Sequence, residues 1–166
     1  MEKFDFIPYM FDCATRLKDV GHTEENPKFF RISGLAGLEE YMQRLTEAQY
    51  PALLVHDNQD GSIGDMNRSD NYLDNPYYVF YIVDRPKYGN ADESEAAKKR
   101  CKIIGQKILA KMRKDKRNQV NGLAYMNFSN VPYQSIGPIG DQAVGVMFSF
   151  TVTDQSDMVY NPDDWS

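Results

Sequence analysis

The chain has 166 residues, of which 42% are hydrophobic and 26% charged, a balance that fits one folded domain and excludes disorder throughout. Its net charge of −5 hides a polarity, because residues 98–117 hold ten bases and one acid, which puts +9 on that segment and −14 on the remainder. No apolar run approaches the ~20 residues of a membrane-spanning helix.

Residues 5–20 are predicted as a helix, with Phe4, Ile7, Phe11, Ala14 and Leu17 at helical spacing and Met10 and Cys13 beside them. Asp5 is its expected N-cap, which leaves Pro8 in the first turn where a missing N–H costs little. Residues 21–33 form a connector in which Phe29, Phe30 and Ile32 suit a short extended piece. Ser33 can cap a second helix over 34–48, whose stripe is Leu35, Leu38, Tyr41, Met42 and Leu45. Pro51 stops it. Ala52–His56 then reads as a strand.

Residues 57–76 follow, and fourteen of these twenty are Asp, Asn, Gly, Ser or Pro. So long a polar stretch is either a loop with a use or a hairpin extension. Residues 77–83 are β-branched and aromatic throughout and predict a central strand covered on both faces. Asp92 and Glu95 make a capping-box-like start for a long helix, in which Ala97, Cys101, Ile104, Ile108 and Met112 form one narrow stripe. Acids at its start and bases at its end both suit the helix dipole.

Residues 118–122 break that helix. Residues 123–131 read as a strand, residues 132–141 as a turn, and residues 143–153 as the last strand. In that strand Val144, Val146, Phe148, Phe150 and Val152 share one face. The order α-α-β-β-α-β-β predicts an α+β domain over 1–153, with residues 1–33 as a helical extension. Its architecture is two-layer, a four-stranded, mainly antiparallel sheet with the long helix across one face. Residues 154–166 form a tail without periodicity, yet it carries Tyr160 and the chain's one tryptophan, Trp165. Such rings favour a core or an interface over water.

No motif spells out a reaction. Cys13 and Cys101 lie on apolar helix stripes, where a thiol is inert, so neither suits a catalytic pair with His22 or His56. Two distant cysteines also make no disulfide framework and no metal cluster. Residues 57–61 miss the calcium-loop pattern, since Gln59 and Gly61 take ligand positions and Arg68 stands where the glutamate belongs. Asp84 with Lys87 lacks both the second acid and the spacing of a metal nuclease. The glycines match no phosphate-binding pattern. No catalytic residue, cofactor or metal is therefore expected, and the chain is not expected to be an enzyme. A basic start before an apolar stretch is missing at Met1–Asp5, so no signal peptide is expected and a reducing cytoplasm is the expected place of synthesis.

The helix at 34–48, the strand at 77–83, the helix at 92–117 and the stretch Ile136-Gly137-Pro138-Ile139-Gly140-Asp141 leading into 143–153 together span about residues 34–153. In layout they resemble the small α+β neck proteins of tailed bacteriophages, of the tail-completion or tail-terminator type, and their relatives in contractile injection systems. The N-terminal helix, the 57–76 stretch and the Tyr/Trp tail depart from that layout. The resemblance implies a structural virion protein that forms a ring, usually a hexamer, at the head–tail junction or tail end. Its implied partners are copies of itself, tail-tube proteins and connector proteins, with nucleic acid present only as passing genome. The charge polarity gives the expected contacts: Lys98, Lys102, Lys107, Lys111 and Lys114 of the basic helix against Asp57, Asp60, Asp65 and Asp70 of a neighbour, with Tyr160 and Trp165 docking as well. The alternatives are a protein-binding adaptor in a bacterial cytoplasm and a nucleic-acid binder that uses helix 98–117.

Overall fold

The computed structural model describes residues 2–65, 72–87, 90–139 and 142–166, with the side chain of Leu35 left out. Its elements are α1 (Phe6–Arg16), β1 (Phe29–Ile32), α2 (Gly34–Arg44), β2 (Ala52–His56), β3 (Asp60–Asp65), β4 (Tyr72–Asp84), α3 (Ala91–Asn118), β5 (Tyr133–Ile139), β6 (Ala143–Thr151) and β7 (Asp154–Gln155). The expected α+β class holds, but the sheet is larger than four strands and mixed. Seven strands form it, with the main order β1-β2-β4-β6-β5 and with β3 and β7 both paired to β4. The β1–β2 pair is parallel and the remaining pairs are antiparallel.

The two-layer expectation also fails, because helices cover both faces. On one face α1 and α3 enclose Met10, Ala14, Cys101, Ile108, Met112, Phe80, Ile82, Phe148 and Phe150. On the other, Leu38 and Met42 of α2 meet Leu54, Tyr81, Val83 and Ala143. The alternation of β6 sorts its residues as expected, with Val146, Phe148 and Phe150 toward α1 and α3. Phe80 and Phe148 stack with centroids 5.1 Å apart. Gly105 lets α3 seat against them, since a Cβ there would lie 2.2 Å from the Phe148 ring.

Residues 1–33 were expected as an extension, yet α1 supplies the main core and β1 an edge of the sheet. The buried stripe of α1 is Phe6, Tyr9, Met10, Cys13 and Ala14, which turns Phe11 outward. There Phe11 meets His22 and Phe29 edge-on. The α3 stripe is as expected, with Asp115 added at its end, and Asn90 rather than Asp92 caps the helix by accepting from Glu93 N–H.

Among the described residues of 57–76 the chain forms a strand pair and not a bare loop, because β3 pairs with the first half of β4 from Asp60↔Tyr77 to Asp65↔Tyr72. The expected strand at 123–131 is instead a chain of turns, with one backbone bridge to the sheet, Met126–Val152, and with Leu123 and Met126 buried in the core. Two local features hold it there. Gly122 takes φ +73° against the Phe4 backbone, and Asn127 Oδ1 accepts from the Ser129 N–H and hydroxyl. Besides β4, the strand that pairs with β6 is β5, which occupies most of the expected turn. An edge strand tolerates Gly137 and Pro138 because its outer N–H groups have no partner to lose.

Candidate functional site

The expected site residues fall on three parts of the surface. The five lysines sit on α3, but the 3.6-residue turn splits them: Lys98 and Lys102 flank one side of the apolar stripe, and Lys107, Lys111 and Lys114 flank the other. Three of them are already engaged within the protomer. Lys102 Nζ lies 4.5 Å from the centre of the Tyr133 ring, Lys107 pairs with Asp19 at 2.5 Å, and Lys111 pairs with Asp115 at 2.9 Å. The helix is therefore not one continuous basic face.

Asp115 is the acid inside this basic helix, and it sits in a closed network. The Tyr9 hydroxyl donates to Asp115 Oδ2 at 2.6 Å and the Asn121 amide at 3.2 Å. Lys111 Nζ also lies 4.4 Å from the Tyr9 ring centre. Burial pushes the Asp115 carboxyl up, but the Tyr9, Lys111 and Asn121 donors outweigh it and hold the group below its ordinary value. The same contact, on top of burial, pushes the Tyr9 hydroxyl up. Every polar partner here is satisfied from within, so the network ties α1 to the end of α3.

On the outer side of α3, Arg113, Lys114 and Arg117 have no ion pair among the described residues. With Gln106, Leu109, Ala110 and Phe128 they line a shallow groove of about 410 Å³. Leu109 and Phe128 are half-buried and pack against the main core, so the groove has an apolar floor and a basic rim. Sequence reasoning missed Arg113 and Arg117 as site residues. The signal was there, since Ile103, Gln106, Ala110, Arg113 and Arg117 step by 3, 4, 3 and 4 along the face opposite the core stripe.

The acids lie elsewhere. Asp60 and Asp65 are the two ends of β3 and are exposed, and Asp57, which accepts from the Ser33 hydroxyl at 2.7 Å, precedes that strand. Asp70 lies outside the described residues. All six residues of β3 are exposed, and Ile63 keeps 55% of its surface in water.

The tail does not pack back. After β7 adds two residues to the sheet, residues 157–166 are all exposed, with Val159 at 83%, Tyr160 at 68% and Trp165 at 70%. The segment is nonetheless shaped. Asn161 caps a 3₁₀ turn over Pro162–Asp164, accepting from Asp163 N–H, and Tyr160 stacks on Trp165 with centroids 6.1 Å apart.

The residues considered for chemistry lie in quiet surroundings. Burial holds both thiols above their ordinary value, Cys13 at about 11. Burial also pulls His56 down against the opposing effect of Asp60 and Asp57, and its Nε2 lies 2.8 Å from the Tyr81 hydroxyl. Among the described residues no group of three His, Cys, Asp or Glu is placed to hold a metal ion. Nor is any described helix long and apolar enough to cross a membrane. A scan of protein-family models finds no match, and no curated protein matches the chain.

Proposed function

We propose that this chain is a structural subunit that works by assembling with copies of itself into a ring, in a virion, at the head–tail junction or tail end of a phage particle. The observation that carries assembly is the pair of arms: the β3–β4 hairpin and residues 157–166 hold out Ile63, Tyr72, Val159, Tyr160 and Trp165 without a core of their own. A strand pair joined only by the two residues of β7 along most of its other edge, and a ten-residue segment, bury too little to cover these large side chains. Exposed apolar side chains gathered on such arms are what an interface would cover.

The charges favour a copy of the same chain as the first partner. The hairpin and tail bring Asp60, Asp65, Asp157, Asp163 and Asp164, while the outer side of α3 brings Arg113, Lys114 and Arg117. Unlike surfaces that meet head to tail close into a ring when the rotation permits. In this reading no step is catalytic and no cofactor is used. The phage setting, the tail-tube and connector partners, and a hexameric count rest on the resemblance in element layout.

Light scattering coupled to size exclusion tests the assembly. The expected result is a defined oligomer at micromolar concentration whose mass falls as salt rises, because exposed charge pairs are screened. A 19.1 kDa monomer at every concentration and salt would overturn the reading.

A further inference from the structure

Residues 157–166 have a shape, a charge and exposed rings, and α3 has a groove that matches all three. We infer that this segment of one protomer docks in the Leu109–Arg113–Arg117–Phe128 groove of a second copy. The inference rests on the assembly reading above and adds to it which surfaces meet.

Three observations converge on that pairing. The first concerns the cations of α3. Lys99 is held by Glu95, Arg100 by Asp84, Lys107 by Asp19 and Lys111 by Asp115. Lys116 donates to the Met126 carbonyl. Lys102 lies over the Tyr133 ring. Among the described residues Arg113, Lys114 and Arg117 have no ion pair; nor has Lys98, which is half-buried near the start of the helix, but only these three rim this groove. The second is that the groove floor is apolar, since Leu109 and Phe128 pack on the main core and keep an outer surface. An anion alone would leave that floor wet, so the matched occupant carries acids beside rings. The third is that the tail offers this combination. Asp157, Asp163 and Asp164 flank the stacked Tyr160 and Trp165, and the 3₁₀ turn holds acids and rings together before any contact is made. Guanidinium groups stack on aromatic faces and fork onto carboxylates, so Arg113 and Arg117 can serve both.

The occupant comes from another copy. Among the described residues, the hydrogen bonds and the ring contact of residues 157–166 stay inside the segment, and none is made with α3 of its own chain. Pre-shaping of the turn lowers the ordering cost of docking.

Trp165 is the one tryptophan, so its fluorescence reports the tail directly in the full-length protein. Two variants reverse one side each: Arg113→Glu with Arg117→Glu, and Asp163→Lys with Asp164→Lys. All four positions are exposed, so unchanged thermal unfolding of dilute protein confirms that both variants fold. In the wild type, assembly should shield Trp165 from acrylamide and shift its emission to the blue. Each reversal should weaken assembly at least about tenfold and return Trp165 to water. Mixing the two reversed proteins should restore shielding, because each then offers the surface the other needs. Restoration on mixing supports docking between copies. Assembly of wild type and variants alike, with Trp165 accessible throughout, would overturn the docking and leave the ring standing. Shielding that is independent of concentration and unrestored on mixing would place the tail on its own chain and overturn it too. A wild-type monomer with accessible Trp165 would remove docking and assembly together.

Discussion

Two halves of one strand show how differently this molecule treats its surface. From Phe80 to Val83, β4 is buried on both faces, between α1 and α3 on one side and α2 on the other. From Tyr72 to Tyr77 the same strand keeps full backbone pairing, to β3 and then to β7, yet Tyr72 and Tyr77 stay exposed. Hydrogen-bonded pairing is common to both halves, so it cannot be what separates them. The difference is the covering layer. Apolar burial supplies most folding stability, and a paired ribbon without it opens readily. The first half of β4 is thus the place where a second molecule would supply what the helices supply to the other half.

The comparison breaks first in the covered half. Phe148→Ala removes the ring stacked on Phe80 and should destabilise the protein by about 4 kcal/mol in urea unfolding. A cost near that of an exposed site would mean that the covered half is not the stable one. Gly105→Ala pushes a methyl group into the same ring from α3 and should cost about 2–3 kcal/mol. Asp115→Ala strands the Tyr9 hydroxyl and Lys111 and should cost about 2 kcal/mol.

Asp115 also carries a pH signature. Its carboxyl is held below the ordinary value of 3.8, so its contribution is present above that pH and is lost as pH falls through the lower folded value. Acid unfolding of Asp115→Asn should therefore be less steep below about pH 4 than that of the wild type. In the arms the effects on folding shrink. Ile63→Ser and Trp165→Ala should each change unfolding of the dilute protein by no more than about 0.5 kcal/mol. Both should nevertheless weaken assembly. An arm substitution that unfolds the monomer would show that the arms belong to the body after all.

How much of this was legible in the sequence follows the same division. The stripe of α3 and the alternation of β6 were legible because each repeats over many residues against one core. The second layer was not. The α2 stripe shows that the helix is buried, but nothing in Leu38 or Met42 says against which face of the sheet. The 123–131 strand failed because its alternating texture is overruled locally by Gly122 and the Asn127 turn. Its replacement, β5, was hidden by Gly137 and Pro138, which signal a turn wherever a strand is not at an edge. For the candidate site, Tyr160 and Trp165 stand out in the sequence as rings in a segment without periodicity, and the structure leaves both exposed. The lysine set was less informative, because charge counting does not reveal that Asp19, Asp115 and Tyr133 already hold three of the five. Asp115 itself was visible as an acid continuing the apolar stripe three residues after Met112.

Amide hydrogen exchange on the full-length protein, dilute and concentrated, tests the central claim most directly. Covering of the arms by a second copy predicts that residues 60–65 and 157–165 exchange fast in dilute solution and become protected on concentration, while Phe80–Val83 is slow in both. Fast exchange of the arms at every concentration would contradict it.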